Sequence, residues 1–171
     1  MEKTLIILKP DAVQRQVTGE IISRFERAGL KIIGVKMVEP NEEHYHRHYE
    51  DIGKMISRRG EEVFKVTLAA MQEGPVIVMA LEGVGAVSLV RKLVGTTEPK
   101  EAAPGTIRGD YSHVSFEYSN KANSAAPNLI HASGDSSDAE QEIKHWFGSD
   151  ELFEYPTTQE YFTLLKSKKS K

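Results

Sequence analysis

One ionisable side chain stands where a buried strand is expected to end. The run Leu129-Ile130 is apolar, His131 follows it, and the small and polar residues "ASGDSS" come next. An imidazole is mostly neutral near pH 7, so one ring nitrogen can attack an electrophile while the other holds the proton. Taken alone, His131 fits a partly buried histidine with ordinary hydrogen bonds better than a nucleophile.

Cationic and polar side chains recur at the predicted ends of other elements. They are Lys9 in "ILKPDAV", Arg91 and Thr97 in "LVRKLVGTTEP", Arg108 in "APGTIRGD" and Asn128 in "NLIHAS". Each has an ordinary explanation by itself, because a strand-end lysine extends to solvent and surface arginines form ion pairs that contribute little. Together they can bind a polyphosphate without a glycine-rich loop, since arginine offers forked donors and lysine a point charge.

The order of the predicted elements indicates how these side chains are positioned. Strands are expected at residues 5–8, 30–38, 76–81 and 129–132, with helices between them in the order β-α-β, β-α-β. Right-handed crossovers then give an α+β fold, a ferredoxin-like βαββαβ sandwich with a four-stranded antiparallel sheet covered by helices on one face. The first and third strands lie at the centre of that sheet, which agrees with their lack of polar alternation.

The helix that follows His131 has the clearest pattern. Ser137 and Glu140 fit a capping box, and Ile143 and Trp146 belong to an apolar stripe at helical period. Glu142 falls beside that stripe, so its carboxylate is expected to lean toward the seam with the last strand.

Composition excludes several classes of function. The formal charge is −3, from 22 basic and 25 acidic residues, which gives no general attraction to nucleic acid. The absence of cysteine removes disulfides, thiolate metal sites and cysteine nucleophiles. The apolar run at residues 5–8 is cut off by Lys9 and Pro10, too soon for a signal or membrane segment. A cytoplasmic protein with no membrane partner is therefore expected.

Two further motifs have weaker functional interpretations. Residues 82–88, "EGVGAVS", nearly match a dinucleotide fingerprint, but Ser88 replaces the third glycine, so a plain helix N-terminus is favoured. In "HYHRHY" only His44 and His48 share a helical face and no third ligand is evident. A solvated surface helix is favoured there over a metal site.

The segments "TLIILKPDAV", "APGTIRGD" and "NLIHAS" resemble the signatures of nucleoside diphosphate kinases in order and spacing. The resemblance implies that His131 is the nucleophile that takes the γ-phosphoryl group of a nucleoside triphosphate, typically ATP, and passes it to a nucleoside diphosphate. It assigns Ser133 and Glu142 as partners of that histidine. The residues that it assigns to the phosphates and ribose are Lys9, Tyr49, Arg91, Thr97, Arg108 and Asn128.

The resemblance also implies cofactors and partners. Mg²⁺ would arrive with the nucleotide phosphates and need no protein metal site. Family members assemble from dimers into tetramers or hexamers, and Pro99 matches a proline in an assembly loop. A non-catalytic nucleotide-binding or regulatory protein of the same fold is the alternative. The retention of His131, Lys9, Arg108 and Asn128 favours the enzyme.

This chain departs from the family pattern at several places. Gly134 follows the serine of "HAS" where an aspartate is usual, and Asp135 comes one residue later. Residues 50–63 are longer than usual and replace the segment that carries the aromatic residue under the base. Phe64 is a candidate for that stacking role, and core packing is its alternative.

A single nucleoside diphosphate kinase-like domain is expected over residues 1–171. It would contain insertions at about 50–63 and 111–127 and a C-terminal extension at about 148–171. The second insertion is predicted to be a hairpin, because apolar and polar residues alternate around Phe116.

Overall fold

The computed structural model describes residues 1–163 of the 171-residue chain. The basic end of the predicted C-terminal extension, "KSKKSK", lies outside the described residues. Four strands form one antiparallel sheet in the order β2-β3-β1-β4, so the first and third strands are central, as predicted. The strands are β1 (Glu2–Leu8), β2 (Lys31–Val38), β3 (Val76–Gly83) and β4 (Ile130–Ala132).

Ten α-helices lie among and after these strands in the described part of the chain. They are α1 (Pro10–Gln14), α2 (Thr18–Arg27), α3 (Glu42–His46), α4 (Met55–Arg59), α5 (Glu61–Met71), α6 (Ala86–Val94), α7 (Ile107–Tyr111), α8 (Phe116–Lys121), α9 (Ser136–Trp146) and α10 (Thr158–Thr163). A π-helical turn over Arg47–Ile52 continues α3. Among residues 1–163, no helix combines the length and the apolar character that a membrane crossing requires.

Helices cover both faces of the sheet, so the expectation of one covered face is wrong. Leu5 and Ile7 of β1 pack in a core with side chains of α3, α5 and α9, whereas Ile6 and Leu8 pack in a second core with those of α2 and α6. Successive strand side chains point to opposite faces. The continuous apolar run of β1 is therefore explained by burial on both sides.

Helix ends follow the predicted signals in two places and differ in a third. Gly29 follows α2 with φ of +83°, and α6 begins after Gly85 with φ of +59°, which makes "EGVGAVS" a plain helix N-terminus. The capping box predicted at Ser137 is wrong. Asp135 caps α9 instead, because its carboxylate accepts the Asp138 backbone N–H at 2.8 Å.

The hairpin predicted for residues 111–127 is also wrong, because this segment contains helix α8. The Ser115 side chain accepts the Tyr118 backbone N–H at 3.1 Å and caps the helix. Tyr118 is 69% exposed, so the alternation that suggested a strand does not mark a buried face.

Helix α7, which carries Arg108, lies against the preceding loop at a point where only glycine fits. Thr106 caps the helix by accepting the Gly109 N–H at 3.1 Å. A Cβ on Gly109 would lie 2.2 Å from the carbonyl oxygen of Ala103, which is far inside van der Waals contact. The missing side chain therefore lets the two backbones meet and fixes the position of Arg108.

We expect Gly109→Ala to lower the free energy of unfolding by about 1–3 kcal/mol, because the loop must move to admit the methyl group. Gly19→Ala is the matched control, since a Cβ at Gly19 in α2 meets nothing within 4 Å. Its effect should be neutral, or stabilising by up to about 1 kcal/mol. Urea unfolding of both variants measures the difference, and equal effects would contradict the close-approach explanation.

Candidate active site

His131 lies on the short strand β4, directly after a strained turn. Leu129 has φ of +64°, which is unfavourable for a residue with a side chain, and the Ile130 N–H donates to the Asn128 carbonyl at 2.7 Å. This turn is held by Lys9 and Asp11, which both follow β1 in the chain. The Lys9 N–H donates to the Leu129 carbonyl at 2.8 Å, and the Asp11 carboxylate accepts the Leu129 N–H at 3.0 Å.

A cavity of about 560 Å³ opens beside His131. Residues from widely separated parts of the chain line it, including most of the predicted site. The predicted residues in its lining are Lys9, Tyr49, Arg91, Thr97, Asn128, His131 and Glu142. Arg108 and Ser133 are buried behind this lining.

A chain of hydrogen bonds fixes the imidazole of His131. Its Nε2 lies 2.9 Å from Glu142 Oε1, and Ser133 Oγ donates to Glu142 Oε2 at 2.6 Å. Ser133 Oγ in turn accepts the Leu5 N–H of β1 at 3.0 Å. Glu142 is 3% exposed, so a neutral His131 keeps its proton on Nε2 to satisfy the buried carboxylate. Nδ1 is left with a free lone pair, as a nucleophile requires.

Lys9 has only a neutral hydrogen-bond partner. Its Nζ donates to Asn128 Oδ1 at 2.7 Å, and Asn128 Nδ2 donates to the Thr97 carbonyl at 3.1 Å. The pKa of Lys9 is lowered to about 8, mainly by burial and also by the positive charges of Arg108 and Arg59, while Asp11 acts in the opposite direction. The ammonium group thus lies at the cavity wall with its position fixed and its charge uncompensated by a hydrogen-bonded carboxylate.

Arg108 is held by backbone carbonyls. Its Nε, Nη1 and Nη2 donate to the carbonyls of Asn128, Gly95 and Ile130 at 3.2, 3.1 and 2.5 Å. Burial lowers the pKa of Arg108 to about 10, and the charge of Arg91 adds to this effect. Three of its five N–H donors therefore brace the loop after α6 and the turn before His131, and the other two have no hydrogen-bond partner among the described residues.

The segment "HYHRHY" is not the solvated helix that was expected. Tyr45, His48 and Tyr49 are buried. Of the three histidines in the motif, His46 is the one that is exposed. Tyr45 and Tyr49 are four residues apart, which is a helical period. His48 turns inward as well because the helix continues into a π-helical turn.

The sequence considered His48 only as a surface metal ligand, whereas the structure buries it beside His131. Its ring is perpendicular to that of His131, with the centroids 4.5 Å apart, and Trp146 Nε1 donates to its Nδ1 at 3.1 Å. Burial, aided by the neighbouring His131, keeps the pKa of His48 well below its usual value. His48 is therefore a neutral imidazole with its proton on Nε2.

His48, His131 and Glu142 bring three atoms of metal-ligand type within 4.8 Å of one another. Their hydrogen bonds argue against a metal centre. The Trp146 N–H occupies Nδ1 of His48 and leaves the proton on Nε2, so His48 has no free lone pair for a metal. Both oxygens of Glu142 already accept hydrogen bonds, from His131 and Ser133.

Phe64 lies in the core, where its ring packs edge-on against His46 with the centroids 5.3 Å apart. It is not among the described residues that line the cavity, which agrees with the core-packing alternative and gives the stacking role no support. Phe116 of α8 does line the cavity.

Tyr49 also lines the cavity. Its buried hydroxyl has no partner among the described residues, and burial raises its pKa.

Comparisons with known proteins show the family of this chain. A family model described as nucleoside diphosphate kinase matches residues 2–152. A nucleoside diphosphate kinase of Pyrococcus horikoshii is 48% identical over 161 residues, which cover 94% of each chain.

Solved structures of enzymes with this name also resemble the chain. One is the nucleoside-diphosphate kinase of Borrelia burgdorferi with bound vanadate and ADP, a transition-state mimic. It has a TM-score of 0.90 and 43% identity, covering 93% of this chain and 94% of the other. A Halobacterium salinarum enzyme in complex with CDP has a TM-score of 0.79 and 36% identity, covering 94% and 96%.

The buried neutral state of His48 predicts a loss of stability in acid. Its pKa is lowered in the folded protein, so below about pH 6.5 the unfolded chain takes up a proton that the folded chain does not. The free energy of unfolding should therefore fall as the pH drops from 7 to 5, by at most about 1.4 kcal/mol per pH unit for each such histidine.

Urea unfolding at several pH values measures this slope. His48→Gln should reduce it, whereas His113→Gln, which changes an exposed ring, should leave it as in the parent. If the parent and His48→Gln have the same slope, His48 does not remain neutral in the folded state.

Proposed function

The chain belongs to the nucleoside diphosphate kinase family and is a phosphotransferase of that class, and we propose that it works through a phosphohistidine at His131. The γ-phosphoryl group of a nucleoside triphosphate, typically ATP, passes to His131 and then to a nucleoside diphosphate. The observation that carries this proposal is the imidazole of His131. Its Nε2 is bound to Glu142, its Nδ1 is free, and it lies in the lining of a cavity that Lys9 and Arg91 also line.

In the first half-reaction, Nδ1 of His131 attacks the γ-phosphorus in line with the bond to the leaving diphosphate. The N–P bond forms as the P–O bond breaks, and the electron pair goes to the β-phosphate oxygen. The ring gains positive character, which the buried carboxylate of Glu142 stabilises through the Nε2 hydrogen bond. In the second half-reaction, a diphosphate oxygen attacks the same phosphorus and the imidazole leaves.

Positive side chains supply most of the catalytic effect in phosphoryl transfer, because they stabilise charge spread over the transferring group. Lys9 and Arg91 line the cavity, and Arg108 keeps two free donors behind it. Tyr49, Thr97 and Asn128 are proposed to complete the contacts with phosphates and ribose. Donor and acceptor share their phosphates, so one site serves both half-reactions.

Mg²⁺ is proposed to enter as part of the substrate, bound to the nucleotide phosphates. The carboxylate nearest the nucleophile cannot hold it, because both oxygens of Glu142 already accept hydrogen bonds.

The base is proposed to lie in the part of the cavity lined by Val63, Thr67, Phe116 and Ala125. Apolar contacts of this kind tolerate different bases.

We also propose a homo-oligomer, a tetramer or hexamer built from dimers. Strand β2 is at one edge of the sheet, and Val35 and Met37 on it are 56% and 57% exposed. An edge strand with exposed apolar side chains favours pairing with a second copy.

The proposed compartment is the cytoplasm, where free nucleoside diphosphates and triphosphates are exchanged.

Incubation with γ-labelled ATP tests the nucleophile. The parent should acquire label that is lost in acid and kept in alkali, as expected of a phosphohistidine, and His131→Ala should acquire none. His113→Ala is the control, because His113 is exposed and does not line the cavity. Thermal unfolding confirms that each variant folds. Equal labelling of His131→Ala and the parent would refute the assignment.

The lowered pKa of Lys9 predicts a pH dependence of the labelling step. Lys9 carries its charge below about pH 8 and loses it above, so kcat/KM for ATP should fall as the pH rises through about 8. Lys9→Arg should move this fall to higher pH, because a guanidinium group stays charged. Lys3→Arg, at an exposed position, should leave the profile unchanged. A fall at the same pH in Lys9→Arg would assign it to another group.

A further inference from the structure

The inserted helix α4 lines the cavity although it has no buried side chain of its own. Met55, Arg58 and Arg59 of this helix belong to the cavity lining. Lys54 before the helix and Gly60 after it both have positive φ, +51° and +93°. Helix α4 is thus a short unit that contacts the core through the half-buried Met55, and it presents that side chain and two guanidinium groups to the cavity.

The two arginines differ in their surroundings. Arg58 Nη1 donates to the Gly53 carbonyl at 3.3 Å, and its charge acts on Asp138. Arg59 has no hydrogen bond or ion pair from its side chain within residues 1–163. The pKa values of Lys9 and Arg108 are lowered mainly by burial, and the charge of Arg59 adds to both shifts. Arg59 therefore lines the same cavity as Lys9 and lies close enough for its charge to act on Lys9 and Arg108.

An unpaired cation beside other cations is unfavourable unless an anion joins them. Lys9, Arg91 and Arg108 already provide positive charge around His131, and the carboxylate of Glu142 is committed to hydrogen bonds with His131 and Ser133. A ligand with several negative charges would compensate all four cations at once. The phosphate chain of a nucleotide has this character, and the forked donors of arginine match its oxygens.

We propose that Arg59 is an additional phosphate-binding residue, supplied by the inserted segment and directed at the polyphosphate of the bound nucleotide. The proposal rests on the proposed function and extends it, because it adds a cation from α4 to Lys9, which follows β1, and to those carried by α6 and α7. Arg59 is exposed and the core contact of α4 is made by Met55, so substitution of Arg59 should leave the fold intact.

Calorimetric titration with ADP and with adenosine tests this contact without requiring catalysis. Arg59→Gln should weaken ADP binding about tenfold, the usual effect of losing one charge-assisted hydrogen bond. Adenosine, which has no phosphate, should bind as to the parent. Arg59→Lys should recover part of the loss. Arg27→Gln, which removes the same charge at an exposed position of α2, should bind ADP as the parent does.

Three results would overturn the proposal. ADP binding by Arg59→Gln equal to that of the parent would remove the contact. An equal loss in Arg27→Gln would indicate a general effect of charge, and an equal loss for adenosine would place Arg59 against the base. Labelling of the parent by γ-labelled ATP separates this failure from that of the proposed function. A parent that is labelled at His131 while Arg59→Gln binds ADP normally refutes only the role of Arg59.

Discussion

The site depends on the hydrogen bond between Glu142 and His131, because it decides which imidazole nitrogen is free. A carboxylate that is 3% exposed must have its acceptors satisfied, and Glu142 satisfies them with His131 on one oxygen and Ser133 on the other. Ser133 is tied to Leu5 of the central strand β1. Helix α9, strand β4 and strand β1 are therefore joined through one buried charge, and the direction in which Nδ1 points follows from the packing of the sheet.

A second constraint is the surplus of positive charge around the cavity. Lys9 binds an asparagine amide and Arg108 binds backbone carbonyls, so neither cation is neutralised by a hydrogen-bonded carboxylate. Both groups have lowered pKa values, mainly because they are buried. Such an arrangement costs stability in the empty protein and favours binding of an anion, the usual compromise between stability and activity at a functional site.

The sequence predicted the sheet and its central strands because apolar runs and crossover rules determine them, and its motifs indicated the cations. It did not predict that His48 is buried against His131, because a helical period of 3.6 residues does not describe a π-helical turn. Phe116 was assigned to a hairpin because alternation was visible and the Ser115 cap was not considered. No local pattern distinguishes Arg59 from a surface arginine, since its significance comes from the charges of Lys9 and Arg108, which are far away in sequence.

The turn at Leu129 has a consequence for how this protein tolerates change in length. Its backbone is anchored by Lys9 and Asp11, near the start of the chain, more than 100 residues away in sequence. The reacting nitrogen is thus positioned by the neighbouring strand, whatever the length of the polypeptide between the two. The insertions expected at 50–63 and 111–127 both fall in that interval, so they need not move this turn.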